Sequence, residues 1–216
     1  MVLITASKYL LLTEAIGKKP MLRTRFTSQS YFVLAAFLDL MAQKVIRMSK
    51  DQVRIDETAE LPAYLSIFTK ELTAALAEDD SLENALKPIT SWDIANQIYD
   101  GIGHELLASN QVQRVVFQNN LKPHIIYEPT DSARSEAKGW LIENISASST
   151  DLAALNLFEI MSSMDALKWV IDDQGQRAEL VKQVERNAHA KDIHRIGATA
   201  AEVITQKRFW LDSWLS

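Results

Sequence analysis

From Tyr31 to Leu38 the chain runs Tyr31-Phe32-Val33-Leu34-Ala35-Ala36-Phe37-Leu38, almost purely apolar, and continues through Asp39-Leu40-Met41-Ala42. The run is too long for an ordinary strand and too short to span a bilayer, so it reads as a helix. Being apolar on every side, such a helix must be wrapped by other elements and cannot lie on a surface. The period then changes. Lys44-Val45-Ile46-Arg47-Met48 and Gln52-Val53-Arg54-Ile55 alternate around the polar tip Ser49-Lys50-Asp51. That pattern predicts a hairpin with Ile46, Met48, Val53 and Ile55 inward and Arg47 and Arg54 outward.

The remaining segments are mainly helical. Thr5 to Ile16 reads as a short helix, followed by a turn at Gly17-Lys18-Lys19-Pro20. Met21 to Gln29 reads as a basic, polar connection, with Thr27, Ser28 and Ser30 as possible caps for the long apolar helix. A helix from Pro62 to about Leu76 puts Leu65, Phe68, Leu72 and Leu76 on one stripe. Thr90-Ser91-Trp92-Asp93 carries a capping signal for a helix to about Ala108. Its buried row is Ile94, Ile98, Ile102 and Leu106, and Gly101 and Gly103 leave room for a close neighbour. Val112 to Phe117 and His124 to Tyr127 read as a second hairpin, so the helix-then-hairpin outline occurs twice. Helices are expected at Ala133–Ile145 (burying Trp140), Asp151–Ile171, Arg177–Ala190 and Ala198–Leu215. No linker divides these segments. The expectation is one mainly α domain over residues 1–216, a helical bundle with two small β-hairpins.

Composition narrows the chemistry. With no cysteine among 216 residues, disulfides and thiolate zinc sites are excluded. No nucleophile elbow, phosphate-cradling glycine loop or G-x-G-x-x-G is present, so no enzymatic activity and no cofactor is expected. His189 and His194 are five apart, off-register for one metal on one helical face, and Glu78-Asp79-Asp80 with Glu83 lacks the spacing of a calcium loop. No metal site is expected. The chain shows no secretory signal and no membrane span, which points to the cytoplasm, with a peripheral association with membrane as a further expectation.

Charge is unevenly distributed. Residues 1–54 hold nine bases (Lys8, Lys18, Lys19, Arg23, Arg25, Lys44, Arg47, Lys50, Arg54) against three acids (Glu14, Asp39, Asp51), although the whole chain is at −5. A basic end on an acidic chain suits an anionic partner, or contacts the acidic remainder of its own molecule. The C-terminal Phe209-Trp210-Leu211 with Trp214-Leu215 suits either a membrane interface or, on the plainer reading, a docked terminal helix. Nucleic acid is not expected as a partner. The first apolar helix has no exposed base-reading face, and the second carries Asp93, Asp100 and Glu105 without lysine or arginine, so phosphate would repel it.

The order of segments resembles the Golgi phosphoprotein 3 family. Ala35-Ala36-Phe37-Leu38-Asp39-Leu40 followed by Lys44-Val45-Ile46-Arg47-Met48 is similar to that family's buried leucine-rich helix and strand. Glu105-Leu106-Leu107-Ala108-Ser109 is similar to its turn before a hairpin, and Asn156-Leu157-Phe158-Glu159-Ile160-Met161 to its late helix. The resemblance implies a peripheral membrane protein recognising phosphatidylinositol 4-phosphate, with a protruding hairpin for membrane contact and self-association. Here that hairpin is Gln111 to Pro129, with Phe117 and Leu121 near the tip. At the family's headgroup-pocket positions this chain has Thr24, Val33, Asn96 and Tyr99, none of which gives charge-assisted bonds to phosphate. The candidate headgroup residues are therefore Lys18, Lys19, Arg23, Arg25, Arg47 and Arg54. The expected function is an adaptor on an anionic phospholipid surface, with a protein partner and homo-oligomer as further expectations. The alternatives are a soluble protein-interaction module without lipid binding and, below it, a winged-helix-like nucleic-acid binder.

Overall fold

A computed structural model describes residues 2–16, 22–118, 123–147 and 151–215. The chain runs through α1 (Ile4–Thr13), a 3-10 turn at Leu22–Thr24, and α2 (Phe26–Ala42). The hairpin of β1 (Ile46–Ser49) and β2 (Gln52–Ile55) leads to α3 (Ser66–Glu78), the short α4 (Leu82–Leu86) and α5 (Trp92–Ala108). A second hairpin, β3 (Val112–Gln118) and β4 (Pro123–Pro129), precedes α6 (Asp131–Ser146), α7 (Leu152–Ser163), α8 (Leu167–Val170), α9 (Gln174–Glu185) and α10 (Ala190–Leu215). The fold is mainly α with two small antiparallel hairpins.

Every residue of α2 from Ser28 to Leu40 is buried, and α1, α5, α7, α10 and β1 pack around it. The helix begins at Phe26, inside the stretch expected to be a connection. Its early polar side chains find partners in the chain itself: Gln29 Nε2 donates to the Arg23 carbonyl (2.8 Å) and Ser30 Oγ to that of Phe26 (3.0 Å). Thr27, Ser28 and Ser30 lie within the helix and do not cap it. Arg25 holds the N-cap position, with no side-chain cap bond.

The cap of α1 comes from α2. Leu3, at the N-cap, offers no side-chain acceptor. Instead, Asp39 reaches across and accepts from the N–H groups of Thr5 (2.9 Å) and Ala6 (3.0 Å), the positions an N-cap side chain would serve. α1 ends at Thr13, short of the expected Ile16, because Glu14 is already extended.

The two helix-then-hairpin units share one junction. α2 and α5 are each 17 residues long. Each ends in a left-handed residue, Lys44 (φ 62°) or Asn110 (φ 57°), with N–H bonds from Lys44 and Val45 to Met41 and Leu40, and from Asn110 and Gln111 to Leu107 and Leu106. This is the Schellman stop. β1 pairs with β2, Ile46 with Ile55 and Met48 with Val53, leaving Arg47 and Arg54 opposed on the outer side as expected.

The row Ile94, Ile98, Ile102 and Leu106 is buried, and Ser91 accepts from the Ile94 N–H as its cap. Tyr64 fills the space over Gly101, and Tyr127 that over Gly103. A methyl group at Gly103 would lie 2.2 Å from Tyr127 Cδ2. That ring cannot easily retreat, since the Tyr127 N–H bonds Tyr99 Oη (2.9 Å) and the two rings pack 5.4 Å apart. We expect Gly103→Ala to cost about 2 kcal/mol in urea unfolding, after a helix-propensity gain of about 1. Gly139→Ala in α6, where a methyl group would meet nothing within 4 Å, should be neutral or gain up to about 1 kcal/mol. Equal effects at both positions would refute the packing argument.

The last third departs from expectation in its breaks. The apolar stretch Asp151–Ile171 is two helices, because Asp165 takes φ 51° in another Schellman stop, with Asp165 and Ala166 donating to Ser162 and Met161. α9 starts at Gln174 under a cap from Asp173 and ends at Glu185, and α10 begins at Ala190, eight residues before the expected start. Trp140 is half-buried, with the Lys8 ammonium 5.6 Å over its ring. α10 docks through Ile193, Ile196, Ala200, Val203 and Ile204, yet Phe209 stands 76% exposed beyond them. Among the described residues no helix is long and apolar enough to cross a membrane.

Candidate functional site

The basic positions do not form one pocket. Lys18, Lys19 and Leu121 lie outside the described residues. Arg25 sits exposed at the start of α2, and Arg47 and Arg54 on the hairpin beyond its other end. A 17-residue helix is about 25 Å long, so these are two separate groups of cations.

Arg23 belongs to the interior. Its guanidinium bonds Asp100 (3.0 Å), lies 4.8 Å from the centre of the Tyr99 ring, and is only 14% exposed. Its N–H donates to Glu14 Oε2 (2.9 Å), which also accepts from Tyr99 Oη (2.9 Å). Arg134 donates to the Glu14 carbonyl (2.7 Å). This cluster ties α1, the Leu22–Thr24 turn, α5 and α6 together. Burial pushes the Glu14 carboxyl above its ordinary value, against the bonds from Arg23 and Tyr99. Of the four positions aligned with the family's headgroup pocket, Val33 and Tyr99 are core residues, while Thr24 and Asn96 are half-buried.

Arg47 and Arg54 face each other across β1 and β2 and line an open depression of about 630 Å³ with Met48, Gln52 and Asp56. Arg47 Nε donates to the Lys44 carbonyl (3.1 Å), which holds the side chain along the hairpin. Lys44 and Lys50 are exposed on the same element.

The acids of this region are arranged quite differently. Glu14 and Asp39 are buried, and burial raises the Asp39 carboxyl to about 6 despite two N–H donors. Asp51 is paired with Arg195 of α10, which also donates to the Lys50 carbonyl (2.9 Å). Arg25, Lys44, Arg47, Lys50 and Arg54 stay at the surface, Arg23 is withdrawn, and so are two of the three acids. Among the described residues, the outer face of the N-terminal quarter therefore carries five exposed bases and one exposed acid, Asp51.

In the second hairpin Phe117, opposite His124, is half-buried. Its neighbour Val116 is 64% exposed, and sequence alternation alone does not single it out. Neither strand pairs with a third among the described residues. Among those residues, too, no three His, Asp or Glu side chains are gathered to hold a metal ion. Glu78 instead ends α3, and Asp79 accepts from the Ser81 N–H and hydroxyl (3.0 and 2.8 Å). Comparison with protein-family models and with curated proteins returns no match for this chain.

Proposed function

We propose that the protein is a peripheral membrane adaptor that recognises anionic phospholipid surfaces. The observation that carries the reading is the sorting of charge in residues 2–54: exposed Arg25, Lys44, Arg47, Lys50 and Arg54 against buried Glu14 and Asp39. Clustered surface bases draw a protein to an anionic leaflet at about 1 kcal/mol each. Resemblance to the Golgi phosphoprotein 3 family supports a lipid partner. The apolar or internally bonded residues at Val33 and Tyr99 favour diffuse headgroup attraction over a stereospecific phosphoinositide pocket. On this reading the β3–β4 ribbon, with Val116 exposed and Phe117 near its tip, serves bilayer contact or self-association.

Flotation with neutral, generic anionic and phosphatidylinositol 4-phosphate-doped vesicles tests the proposal. Binding to both charged kinds, fading as salt rises, is the expected result. Arg47→Gln with Arg54→Gln should weaken partitioning about 30-fold, the effect of two lost surface charges. Binding confined to the doped vesicles would replace diffuse attraction with a specific pocket. No binding to any vesicle would leave a soluble protein-interaction module.

A further inference from the structure

The start of α2 and the last turns of α10 enclose a groove of about 620 Å³, lined by Arg25, Tyr31, Trp169, Arg208 and Leu211 among others. That volume suits a small ligand or a lipid headgroup. Two guanidiniums reach it from opposite ends of the sequence. Arg208 pairs with Asp212 at 3.8 Å, and both side chains are about two-thirds exposed, so water screens the pair and leaves the guanidinium able to exchange partners. Trp169 in the groove wall is 43% exposed, and Phe209, next to Arg208 on α10, is 76% exposed. Trp210 belongs to the other flank of α10, where the Lys207 ammonium sits 4.7 Å over its ring.

Burying these aromatics within the fold would have been the lower-energy course, so their exposure calls for an occupant. A free inorganic anion would use the arginines and leave Phe209 without a role. Aromatic rings with lysine and arginine at their flanks are instead the composition of a membrane–water interface, where rings sit at headgroup level and cations meet phosphates. The other flank of α10 differs, since Glu71, Glu78 and Asp93 line the groove there with Lys87, Lys207 and Trp92. An anionic bilayer would therefore be approached on the Trp169 side.

Resting on the membrane reading above, we infer that this groove seats an anionic phospholipid headgroup between Arg25 and Arg208, with Phe209 and Trp169 entering the bilayer interface around it. This adds a second membrane contact at the α2–α10 end of the molecule, distinct from the Arg47–Arg54 hairpin.

The test uses the full chain with phosphatidylcholine vesicles, with and without phosphatidylglycerol, some carrying brominated acyl chains that quench nearby tryptophan. Arg25→Gln with Arg208→Gln should weaken partitioning about 30-fold, and Phe209→Ser with Trp169→Ser should do so at least as strongly. Bromine quenching should fall in Trp169→Phe. All these positions are wholly or partly exposed, and unchanged thermal unfolding would confirm intact folds. If both double variants bind at full strength with quenching unchanged, the groove is not the contact, although the membrane function stands. If the unmodified protein ignores phosphatidylglycerol, both readings fall together. If the protein sediments as a dimer that Phe209→Ser dissolves, the face belongs to a second copy and the inference is overturned.

Discussion

Phe32→Ala should lose about 3–5 kcal/mol of stability, towards the upper end of that range. Phe32 is fully buried in α2 between Tyr9 and Tyr99, with ring centres 6.1 and 6.2 Å away. Truncating it removes the transfer energy of the ring and leaves a void, and the void's cost depends on how well the walls collapse. Here the walls are tethered. Tyr9 Oη donates to the Ser28 carbonyl (3.0 Å), and Tyr99 Oη bonds Glu14 and the Tyr127 N–H (both 2.9 Å). Either ring could fill the space only by abandoning a buried hydrogen bond, which costs as much as it would recover. Phe209→Ala makes the same chemical change at a 76% exposed site and should shift stability by less than about 0.5 kcal/mol. Urea midpoints for the two variants check the pair. A loss below about 2 kcal/mol at Phe32 would mean that the aromatic cluster relaxes and that its tethers are weak.

What local pattern determines was legible in the sequence. The row Ile94, Ile98, Ile102 and Leu106 follows from helical period, the outward face of Arg47 and Arg54 from alternation, and the close approach at Gly101 and Gly103 from the missing side chains. What depends on a distant partner was not. Gln29 looks like a loop residue until its bond to the Arg23 carbonyl is seen, and the break at Asp165 is a backbone conformation that an apolar run conceals. The candidate site suffered most from this. Arg23 counts as a surface cation by composition, yet Asp100, 77 residues away, holds it inside. Glu14 and Asp39 count as surface acids, yet they serve Tyr99 and the start of α1. Net charge per segment was readable, whereas the side of the surface on which each charge ends was not. Phe209 shows the same limit, because helical spacing cannot say where a 26-residue helix outruns the core beneath it.

Native stability should fall as pH rises from about 4 to about 6, the opposite of the usual behaviour of paired carboxylates, and Asp39 should dominate the change. Its carboxyl is raised from 3.8 to about 6 because burial outweighs the two N–H groups it serves. Across that window the folded protein keeps a proton on Asp39 that the unfolded chain has released. The native state then binds more protons, and stability declines with pH by up to about 3 kcal/mol before levelling off above the folded value. Glu14 is raised as well and acts in the same direction. Asp56 and Asp79 are lowered by bonds from Thr58 and Ser81, so they act in the opposite sense, and only in more acid solution. Urea unfolding at about pH 4.5 and pH 7 measures the effect. Asp39→Asn keeps one carbonyl acceptor for α1 but cannot ionise, so most of the slope should vanish. A slope that survives in Asp39→Asn and disappears in Glu14→Gln would move the titration to Glu14. Stability that rises across the window in the unmodified protein would show that the helix cap, and not burial, controls the Asp39 carboxyl.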